Sequence, residues 1–151
     1  MIVEIQVVGN EQVIGMFAAL GREVEDLSPI FEALADPVFS DIRQRFDEEG
    51  PGWAPLAPST VKRKGNSRIL RDKDDLYGSF QKGATGNVTR ITPTAADFGT
   101  ADPKAMFHQM GTSRMPKRTI IEVTGDQEAK YGKIAANVLT ERVRQIGFEI
   151  T

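Results

Sequence analysis

The apolar residues Leu27, Phe31, Leu34, Val38, Ile42 and Phe46 recur every three or four positions, and this stripe constrains the fold more than any other stretch of the chain. Residues at that spacing share one side of an α-helix, and a helix with such a side must bury it against a second layer. Ser28-Pro29 reads as an N-cap followed by proline at the first helical position, so a helix is expected over roughly 29 to 48. Pro37 lacks an N–H and crowds the preceding turn, which predicts a bend or restart near Asp36, with Asp36 as a local cap.

The second layer is expected to be a sheet. Ile2, Glu4, Gln6 and Val8 alternate with Val3, Ile5 and Val7, the two-residue period of a half-buried strand. Gly9-Asn10 breaks that strand, and Val13, Phe17, Leu20 and Val24 then predict a helix over roughly 11 to 26. Residues 50 to 75 carry Pro51, Gly52, Pro55, Pro58, Gly65 and Asn66, so they read as a long loop with at most a helical turn after Ser59. Leu76 to Lys82, Asn87 to Thr92 and Ala95 to Thr100 are short β-prone runs, separated by Gly83-Ala84-Thr85-Gly86, read as a hairpin turn, and by Pro93-Thr94. Asp102 should cap a short helix from Pro103 to Met110 that Gly111 ends in the left-handed conformation. Arg118 to Val123 predicts another strand. Asp126 should cap a final helix carrying Tyr131, Ile134, Val138 and Val143 on one face, with Gly147 at its end. The sum is a single α+β domain over 1–151: a mostly antiparallel sheet packed on one side by two or three helices, with a long extended loop.

Charge is segregated along this frame. Glu23, Glu25, Asp26, Glu32, Asp36, Asp41, Asp47, Glu48 and Glu49 face only Arg43 and Arg45, whereas Lys62, Arg63, Lys64, Arg68, Arg71 and Lys73 face Asp72 alone. Each segment can be a solvated surface, or the two can be opposite faces of a protomer that docks against neighbours or beside DNA. The basic loop suits phosphates approached without reading bases, or the acidic helix of a neighbouring subunit. With no aromatic between Trp53 and Tyr77, it lacks a stacking platform for single strands. A formal net charge of −2 argues against wholesale nucleic-acid coating. The absence of cysteine excludes a disulfide framework and thiolate metal sites. The alternating N-terminus, with Glu4, is not a signal peptide, and no apolar run is long enough to span a bilayer, so a soluble chain is expected.

No catalytic, metal or cofactor set is assigned. His108 is the only histidine; zinc hydrolysis needs about three protein ligands, and nucleophilic catalysis needs a paired nucleophile. A packed, hydrogen-bonded ring in a turn is expected instead. Gly83-Ala84-Thr85-Gly86 lacks the Lys-Ser/Thr and the helix of a phosphate-binding loop. Trp53, the sole tryptophan, is either an anchor pinning its loop to the helix layer, its indole N–H bonded to a carbonyl, or an intersubunit hot spot.

The ordered segments Phe46-Asp47-Glu48-Glu49-Gly50, Gly52-Trp53-Ala54-Pro55-Leu56, Arg68-Ile69-Leu70, Asp75-Leu76-Tyr77-Gly78-Ser79-Phe80 and Phe107-His108-Gln109-Met110-Gly111 resemble the phage virion morphogenesis, or tail completion, family of Mu-like phages and prophages, the Mu-like protein G type. Two places depart from the family pattern. Asp72-Lys73-Asp74-Asp75-Leu76 stands where the family has Asp-Thr-Gly-x-Leu, and Pro116-Lys117-Arg118-Thr119-Ile120-Ile121 stands where it has Pro-Ala-Arg-Pro-Phe-Leu. The resemblance implies a non-enzymatic virion protein of the tail or neck, assembled in the bacterial host cytoplasm. It implies a homo-oligomer, a hexameric ring at the head–tail junction that joins the head connector or adaptor to the tail terminator or tail tube, with no membrane partner. Trp53, Pro55, Leu56, Leu76 and His108 are then expected at subunit interfaces or as loop anchors. Lys62, Arg63, Lys64, Arg68 and Arg71 are expected to meet DNA or an acidic partner. The alternative is a capsid morphogenesis factor that uses the basic 62–73 loop for non-specific contact with the phage genome.

Overall fold

The computed structural model describes residues 1–5 and 25–145. In chain order the elements are β1 (Ile2–Ile5), α1 (Ser28–Asp47), α2 (Pro58–Lys64), α3 (Asp75–Gly78), β2 (Asn87–Ile91), β3 (Ala96–Thr100), α4 (Lys104–Met110) and α5 (Gly125–Gln145). The α+β reading holds. The sheet is antiparallel, in the order β1-β3-β2, with Ile2 opposite Gly99 and Val88 opposite Gly99 on the other side. Gln6 to Val8, residues 11 to 24 of the helix expected over 11 to 26, and Gly147 lie outside the described residues, and Glu25 and Asp26, its expected last residues, are not helical.

The apolar stripe becomes the buried side of α1. Phe31, Leu34, Val38, Phe39, Ile42 and Phe46 are buried there, and Ala96, Phe98 and Thr100 face them from β3. Phe39 meets Phe98 edge to face with ring centroids 5.8 Å apart. Each such side chain taken out of water contributes about 1.5–3 kcal/mol, and this burial holds helix to sheet. α5 packs on α1 and adds Tyr131, Ile134, Val138 and Leu139 to the rim of the same core. The two helices are also tied by Asp41, which accepts hydrogen bonds from Lys130 Nζ at 2.6 Å and Tyr131 Oη at 2.7 Å. Burial, and then the carboxylate beside it, push the Tyr131 phenol upward.

Several local expectations are corrected. α1 does not restart at Pro37 but runs on as one helix, because packing on both flanks outweighs one missing hydrogen bond. Its entry is fixed by Asp26, whose Oδ1 accepts the Ser28 N–H at 2.9 Å, rather than by a Ser28 cap. Hydrogen bonding from the Ser28 side chain, and then from this N–H, holds the Asp26 carboxyl below the ordinary range. Leu76 to Lys82 is not a strand: its first residues form the one-turn α3, and Leu76 and Phe80 enter the core at helical spacing. The Gly83 to Gly86 stretch therefore joins α3 to β2 and is no hairpin turn. α5 is capped by Thr124 and not by Asp126: Thr124 Oγ1 accepts the Gln127 N–H at 3.3 Å, and Gln127 Oε1 accepts the Thr124 N–H at 3.0 Å, a reciprocal capping box. Arg118 to Val123 is extended but pairs with no strand.

Candidate functional site

The extended segment from Arg118 to Val123 must satisfy its backbone without a sheet, and side chains from three directions do so. From α4, Gln109 Oε1 accepts the N–H groups of Ile120 and Ile121 at 2.8 and 3.0 Å, while its Nε2 donates to the Ile121 carbonyl at 2.7 Å. From α1, the buried Arg45 donates to the Glu122 carboxylate at 2.9 Å and to the Glu122 carbonyl at 3.2 Å. From the long loop, the Trp53 indole N–H donates to the Thr119 carbonyl at 3.2 Å. The Arg118 N–H adds a bond to the His108 carbonyl at 2.8 Å. Ile120 and Ile121 are thereby held buried in the core.

The same segment pins the first half of the long loop in return. Arg118, only 5% exposed, donates from Nε and Nη2 to the Ala54 carbonyl at 3.0 and 2.8 Å and from Nη2 to the Pro55 carbonyl at 3.4 Å. Trp53 lies edge to face on Phe46 at 5.8 Å. The chain leaves α1 through Gly50 at φ +65°, and a Cβ there would collide with the Trp53 ring, so glycine is required both for the turn and for the ring's seat. Trp53 and Leu56 are half-buried, whereas Pro55 is exposed.

The second half of the loop is held by the end of α1. Arg71 is buried; it donates to Asp47 at 2.7 Å and to both oxygens of Asp74 at 2.5 and 2.9 Å, and its guanidinium lies 3.6 Å over the Tyr77 ring. The hydrogen bond between them raises Arg71 further above its ordinary pKa and lowers that of Asp74. Glu49 Oε1 accepts the Ile69 N–H at 3.0 Å. Acidic helix and basic loop therefore meet within one chain at Arg71. That residue is withdrawn from the exposed cationic set, contrary to the expectation that it reaches DNA or a neighbour. Lys62, Arg63 and Arg68 remain exposed, and the half-buried Lys64 donates to the Arg68 carbonyl at 2.6 Å. Burial lowers the Lys64 ammonium pKa.

Leu76 is 5% exposed and belongs to the core, so it anchors the loop from inside. His108 is half-buried on α4, the short helix expected there, but its ring is not hydrogen-bonded as expected: Nδ1 is buried without a partner among the described residues. Burial, then the nearby Arg118 cation, hold its pKa below the ordinary value. Gly111 ends α4 at φ +73° and ψ 173°, not in the left-handed helical conformation; a Cβ would come within 2.9 Å of the Lys117 N. Only glycine lets the 117–118 backbone cross that close to α4.

Among the described residues no group of three or more His, Asp or Glu could hold a metal ion, and no helix is long and apolar enough to cross a membrane. Sequence reasoning missed Gln109, Arg45 and Arg118 as clamp residues. Gln109 was signalled by its place in the His-Gln-x-Gly segment; the two arginines carried no signal, since Arg45 follows Arg43 and Gln44 and Arg118 stands between Lys117 and Thr119. Fold and clamp together define a small α+β domain whose buried polar side chains hold loops in place. Compared with known proteins, residues 8–140 match the phage virion morphogenesis family, and this 151-residue chain belongs to it. No curated protein and no solved structure matches the chain. Membership assigns it a morphogenetic role in a bacteriophage particle.

Proposed function

We propose that the chain is a non-enzymatic tail completion or neck protein. It assembles as a hexameric ring at the head–tail junction and joins the head connector or adaptor to the tail terminator or tail tube. The observation that carries this reading is the family match over residues 8–140. The clamped loop supports it, because a loop held by Trp53, Arg118, Arg71 and Glu49 offers a partner a fixed surface, and fixed surfaces lose little entropy on docking. Electron microscopy of particles made by a phage lacking this gene tests it. Full heads beside separate tails of complete length are expected; aberrant or missing heads would move the action to the capsid, and infectious virions would refute the reading.

A second reading is favoured by one observation: Lys62, Arg63 and Arg68 are exposed together on and after α2, with Lys64 beside them. In that reading the protein touches the phage genome through phosphates. Salt-dependent duplex binding that is lost when these four are neutralised would favour it, and salt-insensitive or absent binding would remove it.

A further inference from the structure

α4 buries Ala105 and turns Gln109 onto the clamped segment, and this leaves Met106, Phe107 and Met110 on its outer side, 55, 49 and 72% exposed. Three large apolar side chains on a seven-residue helix form a surface that the fold of the described residues does not use. The turn after α4, closed by the Thr112–Met115 bridge, carries the exposed Arg114 and Lys117 beside this patch, because Gly111 backs directly onto the Lys117 backbone. Neither cation has an ion-pair partner among the described residues. The patch is therefore an apolar knob with a cationic rim.

The complementary surface lies between the end of α1 and the start of α5. A cleft of about 350 Å³ opens there, lined by Asp41, Gln44, Arg45, Glu48, Pro51 and Gln127 among others. Ile121 and Val123 line the space that adjoins it, with Val123 48% exposed. The exposed Glu122 carboxylate is already paired with Arg45. Glu48 and Asp126, the latter between the lining residues Thr124 and Gln127, are exposed and have no ion-pair partner among the described residues, so the rim keeps two unpaired carboxylates where the knob's rim carries two unpaired cations. Opposite charge around an apolar contact steers encounter and fixes register. A knob and a cleft on different parts of one molecule make a head-to-tail contact, which closes into a ring when the rotation per subunit allows.

We propose that the Met106, Phe107 and Met110 face of α4 seats in the acidic cleft between α1 and α5 of a second copy of this chain, with Arg114 and Lys117 meeting Glu48 and Asp126. The proposal rests on the ring reading above and supplies its subunit contact. The chain has no cysteine, so single introduced thiols report unambiguously. Met110→Cys and Glu48→Cys proteins, mixed and treated with a short bismaleimide, should give a cross-linked dimer several-fold more abundant than either variant gives alone. Equal cross-linking of Met110→Cys by itself would mean that the knob pairs with another knob and would overturn the proposal. No cross-link while sedimentation still shows a ring would overturn this contact and leave the ring standing; no cross-link from a chain that stays monomeric would remove both. As a second variant, Phe107→Glu should raise the concentration needed for association by about tenfold or more, as loss of a central anchor does, with the unfolding midpoint unchanged. A lowered unfolding midpoint with unchanged association would show that the patch is covered by its own chain. Arg114→Glu with Lys117→Glu should weaken association, and Glu48→Lys with Asp126→Lys should restore it; no rescue would overturn the charge pairing.

Discussion

Gln109 makes three hydrogen bonds with one side chain, and all three go to a backbone that has no strand beside it. Gln109→Leu keeps the size and leaves two buried N–H groups and a carbonyl unsatisfied, at about 1–3 kcal/mol each before relaxation. A loss of roughly 3 kcal/mol in urea unfolding is expected, with Gln109→Glu retaining part of it through the acceptor. A change under half of that would mean that water replaces the side chain. His108 gives a pH prediction. Its folded pKa is depressed below the ordinary 6.5 by burial and Arg118, so between those values the unfolded chain binds a proton that the folded chain does not. Stability should thus be undiminished by this group above pH 6.5 and fall as the pH drops through the window below it. His108→Gln should flatten that fall in urea midpoints measured from about pH 5 to 8. An unchanged slope would assign the effect to carboxylates.

At the scale of elements, period and punctuation identified what packing enforces. The stripe from Leu27 to Phe46 gave α1 within about a residue at each end, since a wide apolar side admits no other conformation. The strands β2 and β3 were legible for the same reason. Leu76 to Phe80 misled because two apolar residues four apart in a short run fit a helical turn as well as a strand. Arg118 to Val123 misled differently. Its β-branched residues do adopt an extended chain, but propensity describes the backbone's shape and not what it pairs with, and Gln109 was not visible as a partner. The cap of α5 was one step from legible: Thr124-Gly125-Asp126-Gln127 carries the capping-box spacing, and Asp126 drew attention by its charge. Thr124→Ala should cost about 1 kcal/mol and increase exchange of the first-turn amides of α5; no change in either would hand the cap to Asp126.

For the whole molecule, the two ends of the long loop are fastened to different partners. Trp53 and Arg118 hold its first half to the clamped segment, while Arg71 and Glu49 hold its second half to α1. Trp53→Ala should therefore loosen the loop and weaken assembly more than His108→Ala, and equal sedimentation of the two variants would contradict this. The family resemblance was readable in the sequence because its segments are the residues that anchor these crossings: Gly50 and Trp53 seat one another, and Gln109 and Gly111 let the later backbone approach α4. Which charges stay exposed was not readable, since the burial of Arg45, Arg71 and Arg118 is decided by partners 77, 24 and 64 residues away. A glutamine side chain carries the same CONH grouping as a peptide unit, so Gln109 stands where a single residue of a neighbouring strand would. A missing strand would have to slide as a whole to let go, whereas this imitation releases the amides of Ile120 and Ile121 together by the turn of one rotamer.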